Sequence, residues 1–566
     1  MRLAVLSLAL LLAMGCGRAR RIDPPPPTAE PQYGGTLNVA TVYRTLSALS
    51  WDPADWAWKT NHDVGSIYEQ LFAADLDQAV GKGGSERFLV EAFLPEGVRR
   101  GELAESWQWL DDLTLEVVLR RDALIVPKPG LLDEPRPIDA YDVVDSYERT
   151  RDSPKRISTY YEHIDSVEAT GDFTVVFRFN RYNAEWAYRF GYGFYSSIVP
   201  REVGAADTQD WRNATGSGPF MLDEYIQGNL QSYARNDLYW GEETLRGTNW
   251  KIPFVDRVNY RVIKDEATQL SALRTGKIDI AEVVRWIAVD HLEKSTPELR
   301  WSRSLANVGT MIALRTDQKP FDDRRVRRAL NLAVNHQEIV DVFLGGNGEV
   351  FNYPMSPAFG DYFQPLDQLP EEAQILFDYR PEEARELLAE AGYPDGFSFT
   401  MQTCSCNPAH VDLAPLLVSY LEEVGVEMEI QTLEYAAFLS SMTTQTHTAG
   451  YLFDSGHTNP TTSLRKNFLS SSIWNPAMWN VAEHDRRLDE ILAERDEGRR
   501  KELIHRFTAE IVGEAPYLWL PSQYFYTAWW PWVQNYGGEL RAGAVRPAPI
   551  YARLWIDQEM KREMGF

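Results

Sequence analysis

Few residues in this sequence stand at the spacing that catalysis requires. No His-Glu-x-x-His pair is placed to hold zinc, no Gly-x-Ser-x-Gly turn presents a nucleophile, and no Gly-x-x-x-x-Gly-Lys-Ser/Thr loop cradles phosphates. Ser463-Leu-Arg-Lys466 has the Ser-x-x-Lys spacing in which a lysine activates a hydroxyl, but the Ser-Asp-Asn and Lys-Thr-Gly segments that complete such a site are absent. Two fixed positions recur by chance in a chain of 566 residues, so no catalytic residue is expected. Cys404 and Cys406 flank Ser405, and paired thiols bind soft metals or form disulfides. His410 could add a nitrogen, yet a metal site needs three or four ligands, and the one other thiol, Cys16, belongs to the N-terminal segment. The pair therefore reads as a disulfide or as two small buried residues, with metal binding a minor alternative. No metal and no cofactor is expected.

The elements that would position a site need a core, and 44% hydrophobic with 12% aromatic residues supplies one and excludes disorder. The net charge of −25 repels phosphate backbones, so a nucleic-acid partner is excluded and a small molecule is favoured. Three cysteines are too few for a disulfide scaffold. The 18 Trp and 27 Tyr read mostly as core, with a minority free to line a site.

Met1-Arg2 precedes an apolar run from Leu3 to Met14, then Gly15-Cys16. The run is too short to span a bilayer but has signal-peptide length, and it resembles a bacterial lipoprotein signal with Cys16 as the lipidated residue. It departs from that pattern at Ala13, where Leu is usual. The expected layout is a signal peptide over 1–15 and a Pro-rich tether over 16–32, holding the body outside the cytoplasm on a lipid anchor.

From Tyr33 the pattern is mixed α and β. Thr36-Leu-Asn-Val-Ala40, Leu115 to Arg120 and Thr174 to Phe179 alternate as strands. Two stretches read as strand, helix, strand. In one, Val255 to Ile263 leads to a helix with Leu270 and Leu273 on one face, a stop near Gly276, and Ile278 to Ile280. In the other, Phe397 to Met401 leads to a helix from about His410 to Val424, a stop at Gly425, and Val426 to Ile430. Such crossovers build parallel sheets, so two separate α/β units are expected. Between them Asp322-Asp323 suits a helix start, and the arginines from Arg324 to Arg328 read as a charged helix face.

Short blocks run in order along the chain: Gly34-Gly-Thr-Leu37, Ile67 to Leu71, Leu103-Ala-Glu-Ser-Trp107, Ala140 to Val144, and Gly216-Ser-Gly-Pro-Phe220. Arg235 to Gly241, Gly276-Lys-Ile-Asp-Ile-Ala281, Pro320 to Leu330 and Ala391-Gly-Tyr-Pro-Asp-Gly396 follow. In these the sequence resembles the extracytoplasmic solute-binding proteins of ABC importers, in the class that takes oligopeptides, dipeptides and nickel. The resemblance implies an α/β periplasmic-binding-protein fold of type II, two-lobed, with a strand-rich insert. The first lobe would combine 33–62, 213–306 and 513–566, the insert 63–212, and the second lobe 307–512. It further implies a monomer that closes over its ligand and delivers it to ABC permease subunits, without enzymatic activity.

Peptide binders of this family place an Asp, in a loop resembling Ala-Asp-Tyr-x-x-Pro, on the ligand's ammonium. Here Gly456 holds that position ahead of Pro460, and Asp454 stands two residues earlier. Asp454 and Asn459 are the expected polar ligand contacts. Trp51, Trp56, Trp58, Trp286, Tyr192 and Tyr195 are the rings expected to line the cleft. An oligopeptide or similarly extended organic solute is the expected ligand. An oligosaccharide is the alternative in the same fold, and a secreted peptidase or amide hydrolase is the rival enzyme.

Overall fold

The computed structural model describes residues 30–41, 50–55, 63–89, 93–154, 161–263, 265–305, 308–456, 459–542 and 546–566. Cys16, Trp56 and Trp58 lie outside them. In chain order the strands that matter are β1 (Thr36–Thr41), β2 (Ala104–Asp111), β3 (Thr114–Leu119), β4 (Ile164–Gly171) and β5 (Thr174–Phe179). Next are β6 (Phe220–Ile226), β7 (Leu230–Arg235), β8 (Arg257–Val262), β9 (Ile280–Arg285), β10 (Arg300–Leu305) and β11 (Val308–Leu314). The last are β12 (Gly348–Glu349), β13 (Phe397–Cys404), β14 (Val426–Leu433), β15 (Gly450–Gly456), β16 (Tyr517–Trp519) and β17 (Ser522–Trp529).

They form two principal sheets. The first runs β10-β17-β9-β1-β8-β7-β6, with β12 added to β17. Its centre is the first crossover: β8 and β9 both pair in parallel with β1, joined by helix α1 (Glu266–Arg274). The second runs β14-β13-β15-β11-β16, with β13 parallel to β14 and β15. Its crossover helix is α2 (Pro408–Glu422), which starts at Pro408, two residues before the expected His410. Asn407 caps it and Pro408 fills the first turn, where no backbone donor is lost. A Cβ at Gly396 would lie 1.7 Å from the Gly425 carbonyl oxygen, so the turns that open and close this unit touch backbone to backbone.

β11 shows why the second sheet is legible as buried. Met311 and Ala313 enter a core on one face with Tyr451 and Trp519, while Ile312 and Leu314 enter the core on the other with Met401 and Leu452. Period-two alternation here separates two apolar faces, the pattern of a sheet covered on both sides. The antiparallel sheet β2-β3-β5-β4 stands apart from both principal sheets but shares one continuous core with the first.

Two expectations change. The chain was expected to rejoin the first lobe at 513, but β16 pairs with β11, so Tyr517–Trp519 belongs to the second sheet and the return follows Trp519. The arginine run is not simply a solvated face: Arg327, 3% exposed, donates to the Glu514 and Ala515 carbonyls, and Arg324 and Arg328 donate to that of Gly513. They satisfy the otherwise open carbonyl end of the helix Glu497–Glu514, where cations are also favoured by the helix dipole.

The strand-rich insert is held to the C-terminal segment by a buried ion pair. Arg546 donates to both Glu102 oxygens, at 2.6 and 3.0 Å, to Gln70 Oε1 and to the Gly65 carbonyl. Because every donor of that guanidinium is buried, Arg546→Ala leaves Glu102 uncompensated and should cost about 3–5 kcal/mol in denaturant unfolding. Beside it Glu69 accepts from the Trp240 indole at 2.8 Å. Burial first, and then the Glu102 charge, push its carboxyl up to about 8. A carboxyl raised in the folded state contributes stability that is present at low pH and lost as pH rises toward that value. Glu69→Gln should therefore flatten the fall of Tm between about pH 5 and pH 9, with wild type and variant compared by thermal unfolding.

Candidate functional site

The carboxyl ends of the parallel strands β14, β13 and β15 open on one side of the second sheet, the position where open α/β sheets bind ligands. Asp454 is near the end of β15, opposite Thr310 in the register with β11. Its Oδ1 accepts from the Thr310 hydroxyl at 2.8 Å and lies 2.9 Å from His410 Nε2, and its Oδ2 accepts from Asn407 Nδ2 at 3.0 Å. Asn407 and His410 come from the cap and first turn of α2, so the turn after β13 delivers both donors. Burial raises the Asp454 carboxyl, but the His410 imidazole and the hydrogen bonds from His410, Thr310 and Asn407 outweigh it and hold it below the ordinary carboxylate range. The result is an anion at neutral pH whose side chain is still 28% exposed.

The same turn carries the Cys404–Cys406 disulfide, with Cys404 buried and Cys406 exposed. The disulfide reading thus describes the pair, and Cys406 is not a buried small residue. His410, the nitrogen considered for a metal, is spent on Asp454.

The facing wall comes from the first sheet. β9 ends in Arg285, bound to Glu266 with Nε–Oε1 at 3.0 Å and close enough to Asp412 of α2 for that charge also to raise its pKa. Trp286 follows as the first residue of helix α3 (Trp286–Ser295). It is half-buried and reaches the second body, where a Cβ on Gly345 would come within 2.8 Å of the indole. The insert closes a third side: Glu185 accepts from the Thr462 hydroxyl at 2.7 Å, and Arg189 donates to the same oxygen at 3.3 Å.

Of the rings expected in the cleft, Trp286 alone among those described stands between the bodies. Trp51 is 3% exposed and packs edge-on against Tyr225 at 5.0 Å. Tyr192 is 4% exposed and sits edge-on to Tyr188 in the insert core. Tyr195 is half-buried, lines a small recess inside the insert with Phe177 and Phe190, and accepts at its carbonyl from the Tyr161 hydroxyl. The insert core thus takes up Tyr192, and Tyr195 packs half-buried against that core. Asn459 is also buried: its side chain caps the helix Pro460–Phe468 by accepting from the Thr462 amide at 2.9 Å. Thr310, Asn407, Glu185 and Thr462 were missed in the sequence. The Asn-Pro start of α2 is the one local signal that could have placed Asn407 in a first turn beside the strand end.

The family model for bacterial extracellular solute-binding proteins, family 5 middle region, matches residues 100–475. Heme-binding protein A of Haemophilus influenzae is 26% identical over 545 residues, covering 91% of this chain and 92% of that one. The oligopeptide-binding protein AppA of Bacillus subtilis is 29% identical over 334 residues, covering 54% and 57%. In structure, the periplasmic binding protein DppA of Helicobacter pylori, solved with the peptide STSA, superposes with a TM-score of 0.73 at 23% identity, over 93% of this chain and 99% of that one. The fold is that of a type II periplasmic binding protein, its two principal sheets forming the two lobes. The chain belongs to the bacterial extracellular solute-binding proteins of family 5.

Proposed function

We propose that the protein captures an extended organic solute, a peptide before other classes, between its two lobes and hands it to an ABC permease from a lipid anchor at Cys16. The observation that carries this is the Asp454 carboxylate. Its Oδ1 holds two partners, but Oδ2 holds only Asn407 in the described structure, so a carboxylate oxygen keeps a place for one more donor. A solute ammonium or amide is the fitting donor, and a charge-assisted hydrogen bond at that point is about twice as strong as a neutral one. The named ligands of two relatives, oligopeptides for AppA and the peptide STSA for DppA, support the same class. The burial of Trp51 and Tyr192 takes two of the flat rings away from an oligosaccharide reading.

Asp454→Asn should weaken binding of a peptide with a free N-terminus by roughly tenfold or more and leave its N-acetylated form much less affected, as read by titration calorimetry. Equal losses for both peptides would remove the ammonium from the site. Because the Asp454 carboxyl lies below the ordinary range, wild-type affinity should hold from pH 7 to about pH 5 and fall only as pH drops through that depressed value. Cys16→Ser should move the protein from the membrane fraction to the soluble fraction, and retention in the membrane would overturn the anchor.

A further inference from the structure

The Cys404–Cys406 disulfide is poorly placed to stabilise the fold. A disulfide gains most by closing a long loop, and this one encloses Ser405 alone, between Cα atoms 5.1 Å apart. Its surroundings differ sharply from one sulfur to the other. Cys406 is exposed and directly precedes Asn407, which donates to Asp454, whereas Cys404 is 2% exposed at the end of β13. Cys404 Sγ accepts a hydrogen bond from the Cys406 backbone N–H at 3.1 Å. The pair immediately precedes the Asn407 cap of α2, a helix running to Glu422, so the sulfurs stand at the positive end of its dipole. Ser405 N–H is tied to the Leu433 carbonyl at 2.9 Å, which fixes the turn against the neighbouring strand.

Thiol–disulfide exchange needs an accessible sulfur to attack and a leaving thiolate that is stabilised. Cys406 supplies the first. Cys404 supplies the second, because an amide donor and a helix N-terminus both favour its anionic form. We propose that this disulfide is a reactive site of the cleft that captures thiol-bearing solutes covalently. The solute thiol loses its proton to solvent, and its thiolate forms a bond to Cys406 Sγ. The Cys404–Cys406 bond breaks as the electron pair leaves on Cys404 Sγ. One disulfide is consumed and one mixed disulfide forms, with no outside oxidant or reductant. The reverse attack by Cys404 on Cys406 releases the solute thiol unchanged. The proposal rests on the reading of the cleft as the solute site, and Asn407 links the two, since it follows Cys406 and donates to Asp454.

The test uses the oxidised full chain and the dipeptide Cys-Gly, quenched at short times with N-ethylmaleimide and read by intact mass and peptide mapping. The expected product carries one Cys-Gly on Cys406 and one maleimide on Cys404. It should form at least about tenfold faster in the native protein than in the same protein unfolded in guanidinium, where neither the helix end nor the burial of Cys404 survives. In Cys404→Ser, charged beforehand with Cys-Gly on Cys406, the adduct should outlive the wild-type adduct by at least about tenfold after free dipeptide is removed, because no resolving thiol remains. An adduct on Cys404, equal rates in folded and unfolded protein, equal adduct lifetimes, or no adduct at all would each overturn the proposal. None of these outcomes touches the Asp454 reading, whose peptides carry no thiol.

Discussion

Two short connections join successive strands of the two principal sheets, after Leu305 and after Trp519, and the rest of the architecture follows from that constraint. Each crossing continues from a strand of one sheet into a strand of the other: β10 into β11, and β16 into β17. β17 is hydrogen-bonded to β9 and β10 over most of its length, so the second crossing is anchored in the first sheet. Lobes joined in this way move relative to one another by hinging, with each sheet staying a rigid body. The segment β12, which adds Gly348–Glu349 to β17, lies beside the second crossing and limits the directions in which it can bend.

The same topology explains why the polar groups of the site meet. Parallel pairing of β13 with β14 and β15 puts their carboxyl ends together, and the crossover helix must begin beside them. Asn407, His410 and Asp454 are thus neighbours because of strand direction, although Asp454 is 44 residues from His410 and 144 from Thr310. An isolated carboxylate there would be raised by burial. Three donors reverse that sign, which makes the anion a property of the assembled sheet and not of the Asp454 loop alone.

The crossovers were legible in the sequence because their signals are local: alternating strands, a helical apolar stripe and a glycine stop each occupy a few consecutive residues. The reach of Asp454 was not, since it depends on which strand lies next to β15. Tyr192 and Tyr195 illustrate the corresponding error for rings. A glycine-rich stretch with tyrosines suits a binding loop and a core wall equally, and only the packing of the insert sheet over them decides for the core. The boundary near 513 failed for a related reason, because Tyr517–Trp519 and Ser522–Trp529 are both short apolar strands and their sheet membership is set by partners about 200 residues earlier in the chain. The family resemblance supplied the lobes that local signals could not.

The insert is fastened unequally to the two lobes, and that asymmetry bears on closure. To the first lobe it shares a core and the fully buried Arg546–Glu102 pair, whose rupture would strand a charge at a cost of about 3–5 kcal/mol. To the second lobe it presents contacts that can separate singly: Thr462 with Glu185, Arg495 over the Tyr182 ring at 4.1 Å, the Ala184 amide on the Leu492 carbonyl, and Phe93 against Phe359 at 5.0 Å. Each hydrogen bond of this kind contributes about 1 kcal/mol net and each ring contact about as much, because water can replace the partner when the surfaces part. The insert must therefore travel with the first lobe. A solute bound at Asp454 shifts the lobes only by its differential affinity for the closed form.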